Sequence, residues 1–215
     1  MKYLRVRIIA PDGIVRVSAP LRLSMKAINS FLTDKISWII EKQSEVRNQK
    51  RAPILQYVSG EEHYFFGEKY LLEVTEQSSA PKAFLDEKII KLCIKKDFTL
   101  EQKRKILESF YRSELKKIIP NYIADLEKRM KVEVKEFGIK KMKTRWGTCN
   151  PRAKRIWINL ELAKKSPQCL KYIVVHEMTH LLEKHHNKRF YAIMDIFMPN
   201  WREQKSALHW RNCGQ

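Results

Sequence analysis

Residues 166–184, SPQCLKYIVVHEMTHLLEK, constrain the fold of this chain more than any other segment. Leu170, Ile173, Val174, Val175, Met178, Leu181 and Leu182 cover most of a helix's circumference. Ser166 followed by Pro167 has the form of an N-cap and a first-turn proline, which sets where the helix begins. A helix apolar on nearly all sides has to be buried. This one nevertheless carries His176, Glu177 and His180. Polar groups taken out of water are costly unless something satisfies them. The two histidines stand at i and i+4, so both imidazoles lie on one face, one turn apart, where they can share a metal. Glu177 is turned about 100° from His176, which lets it reach a water beside that metal without being a ligand. A divalent cation satisfies all three groups at once.

A catalytic zinc takes three protein ligands and keeps an open position. Beyond His180 the chain reads LLEKHHNKRFY. His185 and His186 fall just past the expected end of the helix. Asn187 can cap a following helix that holds Phe190, Ile193, Phe197 and Met198. A turn over 184–187 swings one of the paired histidines back towards the metal. His186 is favoured, because it completes a three-histidine set, with His185 beside the site or in solvent. Asp195 and Glu203 are fallback ligands. His63 and His209 read as ordinary histidines, and Cys149 as a small buried thiol rather than a nucleophile. The four cysteines, Cys93, Cys149, Cys169 and Cys213, form no CxxC pair, so reduced thiols are expected.

The 215 residues suffice for one substantial domain or two small ones. Texture changes near Asp97, and the expected organisation is α+β. A β-rich region over 1–98 precedes a domain over 99–215 in which helices pack on a small, mainly antiparallel sheet. Alternating segments predict strands over 3–9, 14–18, 64–66, 70–74 and 89–94. Helical spacing predicts one helix from about Met25 to Val46. Thr99 with Gln102 has the form of a capping box. The helix behind it should break or kink at Pro120, with a second helix reaching Met130. Strands over 132–143 and 155–160 are expected to pair, joined by a loop containing Gly147 and Asn150-Pro151.

Lys and Arg number 43 against 24 Asp and Glu, a net charge of +19. The excess is +5 over residues 1–98 and +14 over 99–215. Lys140, Lys141, Lys143, Arg145, Lys184, Lys188 and Arg189 flank the histidines in sequence. Such a field attracts anions. It admits nucleotide or phosphoanhydride hydrolysis at the same metal, and nucleic-acid binding, as alternatives to peptide cleavage. No helix-turn-helix, RNP or zinc-finger pattern accompanies it. No segment approaches the ~20 apolar residues of a membrane span. Arg5 and Arg7 stand where a signal peptide needs its apolar core, so a cytoplasmic location and no membrane partner are expected.

Further motifs carry a family likeness. They are Met142-Lys143-Thr144-Arg145-Trp146-Gly147-Thr148-Cys149, Ile156-Trp157-Ile158-Asn159-Leu160, the HEMTH at 176–180, His185 to Tyr191, and Met198-Pro199-Asn200-Trp201. Val15 to Pro20 and Phe66 to Tyr70 add to it. With these, the chain resembles the YgjP-like metallopeptidase family, zincins related to the WLM and SprT-like metalloproteases. The family typically has RWGSC where this chain has RWGTC, and NHSxxFW where it has HHNKRFY. The first-to-third ligand spacing equals that of metzincins, but Glu183 stands where they need a helix-ending Gly. The resemblance implies a zincin-like catalytic domain with one Zn²⁺ on His176, His180 and His186. It also implies peptide-bond hydrolysis with a water activated by Glu177, on a peptide or protein substrate. A DNA-associated protease recruited through the basic surface is the variant reading. Tyr191, His185 and Arg145 are the candidates for stabilising the oxyanion. Gly147 would let an extended peptide approach the 132–160 strands closely.

Overall fold

In this computed structural model residues 3–9, 11–48 and 55–208 are described; His209 and Cys213 lie outside them. The chain divides into two compact units, residues 1–53 and 54–215.

The first unit is a hairpin and two helices. Strands β1 (Arg5–Ile9) and β2 (Ile14–Ser18) pair antiparallel, with Ile9 opposite Ile14. The predicted single helix is two, α1 (Met25–Asp34) and α2 (Ile36–Asn48). They part at Lys35, whose N–H turns back to the carbonyls of Leu32 and Thr33. Gln43 Nε2 donates to the Gly13 carbonyl at 2.7 Å, and Arg47 Nε to that of Asp12 at 3.1 Å, so α2 holds the hairpin turn.

The second unit starts with four strands, β3 (Glu62–Phe65), β4 (Glu68–Glu76), β5 (Lys82–Asp86) and β6 (Ile89–Ile94), in the order β3-β4-β6-β5. The sequence reading omitted β5. Its apolar Phe84 faces outward and exposed, which spoils the alternation that marks a strand. Phe66 and Gly67, both with positive φ (44° and 87°), turn β3 into β4, the two-residue geometry that suits a twisted hairpin. The tip is a structural contact: Phe66 N donates to Ala163 O at 2.8 Å, and a Cβ on Gly67 would lie 3.1 Å from Ser166 Cα. It abuts the start of the histidine helix.

The capping box at Thr99 and Gln102 is formed, and α3 runs from Leu100 to Met130 without interruption. The expected break at Pro120 is absent. An interior proline costs about 3 kcal/mol. Leu107, Phe110, Tyr111 and Leu115 before it, and Ile119, Ile123, Leu126 and Met130 around and after it, are buried. Each such side chain contributes roughly 1.5–3 kcal/mol, so one shared core outweighs the proline. That core also takes Leu72, Ile90 and Leu92 from the sheet. The change of texture near residue 98 is thus a change from sheet to helix inside one unit.

The last sheet comprises β7 (Glu136–Lys140), β8 (Gly147–Asn150) and β9 (Arg155–Asn159), in the order β7-β9-β8. The two expected strands do pair, in parallel. The segment expected to be their linking loop is itself partly strand: β8 pairs antiparallel with β9 and is an edge. A four-residue strand rich in small and polar side chains leaves no periodic signal. A short 3-10 helix (Leu160–Lys164) leads into α4 (Pro167–Thr179), then α5 (Lys188–Phe197) and α6 (Trp201–Ala207). No helix among the described residues is long and apolar enough to cross a membrane.

Candidate metal centre

Helix α4 begins where the sequence marks it, with Ser166 Oγ accepting from Cys169 N at 3.3 Å. It is buried nearly all round. It stops at Thr179 rather than running on to Lys184, with His180 as its C-cap. Tight i→i−3 bonds, Leu181 N to Met178 O and Leu182 N to Thr179 O (both 3.0 Å), wind the chain off the helix. His180 Nδ1 then meets the Glu183 carbonyl at 3.1 Å. A carbonyl can only accept, so Nδ1 carries the proton and Nε2 keeps its lone pair. Asn187 Oδ1 accepts from Phe190 N at 3.0 Å and starts α5.

The turn returns His186 to the helix: its Nε2 lies 3.1 Å from His176 Nε2. One ligand atom from each of His176, His180 and His186 falls within 4.8 Å of the others. Two nitrogens held at about 2.0–2.1 Å by one tetrahedral ion stand about 3.3 Å apart. The His176–His186 separation suits a shared ion, and the three imidazoles are donors that could hold one. Phe190 is the platform beneath them, its ring centroid 5.0, 4.8 and 4.6 Å from those of His176, His180 and His186. It is fully buried.

Glu177 is 5 % exposed. Burial pushes its carboxyl up to about 8, against a smaller opposing effect of Arg145. Burial, then the neighbouring His180 and His186, push His176 down to about 3. Burial also lowers His180. His176 and His180 are thus kept neutral, the form in which an imidazole ligates a metal. Gly147 lies against the acid: a Cβ there would stand 2.6 Å from Glu177 Oε1 and 2.7 Å from its Cγ. The close approach this glycine permits is that of Glu177 itself.

These groups line a cleft of about 1080 Å³, together with Arg145, β8, Tyr172 and Trp201. Edge strand β8 forms one wall. Trp201 stacks on Tyr172 and Tyr191 (centroids 6.3 and 5.4 Å) and forms another. Its Nε1 donates to Asp195 Oδ1 at 2.8 Å, which occupies the carboxylate once considered as a fallback ligand. Among the described residues, neither Asp195 nor Glu203 joins the histidine group. Of the oxyanion candidates, Arg145 lines the cleft, whereas His185 and Tyr191 do not. His185 is exposed, and Tyr191 backs Trp201 and His186. Cys149 lines the cleft with its thiol pushed up to about 12, first by burial and then by Glu177. It stays protonated and is a poor nucleophile.

Asn159 has a role the sequence reading missed. It is fully buried, donates to Met142 O (2.9 Å) and Arg145 O (2.7 Å), and accepts from Met142 N and Glu161 N (both 3.2 Å). It thus fixes the loop that delivers Arg145 and Gly147. The only signal was a polar residue ending an apolar strand, which periodicity does not interpret.

The sequence matches the family model of the YgjP-like metallopeptidase domain over residues 2–211. The chain belongs to that family. As a YgjP-like protein it is a metallopeptidase, a peptide hydrolase that works with a metal. No curated protein matches its sequence. Among solved structures it is similar to the metallopeptidase zymogen of Pyrococcus abyssi abylysin, with 13 % identity and a TM-score of 0.40, over 44 % of this chain and 95 % of that one. The metallopeptidase zymogen of Methanocaldococcus jannaschii jannalysin gives 18 % and 0.39, over 43 % and 95 %. The densest YgjP-like motifs fall on β8, β9, α4 and the start of α5, the elements that surround the histidines.

Proposed function

We propose that the protein is a zinc peptidase in which His176, His180 and His186 hold one ion per chain and Glu177 is the general base. The observation that carries this reading is the convergence of three imidazole donors beside a buried carboxylate that has a glycine for its neighbour. When bound, a divalent ion there supplies a Lewis acid for the scissile carbonyl and acidity for a water. Glu177 takes a proton from the attacking water and returns it to the departing amine. Its burial suits both halves of that task, because a carboxyl raised towards neutrality accepts and releases a proton at similar cost. Gly147 keeps the carboxylate in place. Arg145, beside Glu177 and lining the cleft, is the donor to the developing oxyanion. An extended peptide lies along the open edge of β8 and pairs with its backbone.

Two measurements on one sample test this. Protein purified without chelator or affinity-tag metal should contain about one zinc per chain and cleave an unfolded protein. Glu177→Gln should cut cleavage about 10³-fold and keep the zinc. Loss of both together, or cleavage that the substitution leaves unchanged, ends the proposal.

A further inference from the structure

Among the described residues, three cations around the cleft form no ion pair. Arg145 precedes β8, Lys184 lies on the turn between His180 and His186, and Lys205 is on α6; all three line the cleft and are exposed. Each comes from a different element. A fourth cation, Arg202, is neutralised by Asp195, its Nη1 lying 2.5 Å from Oδ1. Glu177 is the single carboxylate of the lining.

A smaller cavity of the same unit differs from the cleft. It is lined by Arg104, Lys141 and Lys164, yet all three are paired: Arg104 and Lys141 with Glu108 (3.6 and 2.6 Å), Lys164 with Glu161 (2.7 Å). In the cleft the three cations are left for an incoming anion, and a concave, partly desolvated wall strengthens their joint field.

We infer that the cleft selects acidic peptides, with Asp or Glu side chains on both sides of the scissile bond received by Lys184 and Lys205 and drawn in by the charge of Arg145. This rests on the peptidase reading above and adds the substrate class. Exposed ion pairs are individually weak, so the three together give a preference of about tenfold.

The test uses the zinc-loaded full chain and matched fluorogenic peptides carrying Glu, Ala or Lys on both sides of the cleaved bond. The Glu peptide should show kcat/KM about tenfold above the Ala peptide and further above the Lys peptide. That advantage should shrink as salt rises from about 0.05 to 0.5 M. Lys184→Glu with Lys205→Glu should reverse the ranking while zinc content stays the same. Equal cleavage of all three peptides, or a ranking that survives the charge reversal, overturns the inference and leaves the peptidase reading standing. If no peptide is cleaved, and nucleoside triphosphates are hydrolysed instead, the peptidase reading falls. Binding of the same peptides to Glu177→Gln, by fluorescence anisotropy, then decides separately: tighter binding of the Glu peptide upholds the charge selection, and equal binding rejects it.

Discussion

The second unit sets histidine beside carboxylate in two places, with opposite outcomes. In the cavity of about 190 Å³ lined by Tyr57 and His63, the His63 Nε2 lies 3.2 Å from Glu61 Oε2. Glu61 also accepts from Gln56 N and Tyr57 N, at 2.5 and 2.9 Å. Burial lowers His63 and the Glu61 bond works the other way. His63 and Glu61 are thus partnered, and the pair fastens a loop to the sheet. At the cleft, His176 and His186 face each other nitrogen to nitrogen, and Glu177 lies against Gly147. Burial of similar residues is therefore not itself a sign of function. The sign is polar groups brought together without the protein partner that would satisfy them.

Glu177→Gln separates the two places most sharply. It should cut turnover about 10³-fold with zinc retained. Phe190→Ala comes next, because it removes the floor under all three imidazoles. It should cost about 3–5 kcal/mol of stability, read from denaturant midpoints, and release zinc at chelator concentrations the parent resists. No single residue plays that part at the His63 cavity. Gly147→Ala should lower kcat about 10–100-fold by displacing the Glu177 carboxylate. Zinc content and midpoint should barely move; a matching loss of zinc would mean the glycine serves the ligands instead.

Removing the metal makes the contrast depend on pH. Glu177 is raised from 4.5 to about 8, so the folded chain keeps a proton that the unfolded chain releases, and stability falls as pH climbs through 4.5–8. His176 is lowered from 6.5 to about 3, so the folded chain binds fewer protons in that range, and stability rises up to pH 6.5. His180 and His63 are also lowered and act in the same sense. Above pH 6.5 only the Glu177 effect remains. The metal-free protein should lose about 1–2 kcal/mol between pH 6.5 and 8, and Glu177→Gln should flatten that slope in urea titrations. The smallest effect belongs to the structural pair. Glu61→Gln should cost about 1 kcal/mol and leave turnover unchanged; an altered kcat would show that the two places are coupled.

The helix carrying the histidines was legible because local signals agreed: Ser166 and Pro167 set its start, its apolar residues set its burial, and i, i+4 spacing set a shared face. The capping box at Thr99 and the cap at Asn187 were legible for the same reason. Local signals failed where distant packing decided. Pro120 argued for a break, and a core buried on both sides of it kept α3 whole. Gly147 read as loop, yet its strand exists only through pairing with β9. The end of α4 was placed one turn too late, because Leu181 and Leu182 continue the apolar pattern that the chain abandons.

By itself the sequence determined which residues could ligate a metal and on which side of one helix they stand, since 3.6 residues per turn is a local property of the backbone. Only the tertiary structure decided that the turn after His180 brings His186 back, that Phe190 carries all three rings, and that Glu177 rests against Gly147. Those contacts join residues remote in sequence or set by the packing of whole elements. Local propensity carries no record of which distant surface will meet which.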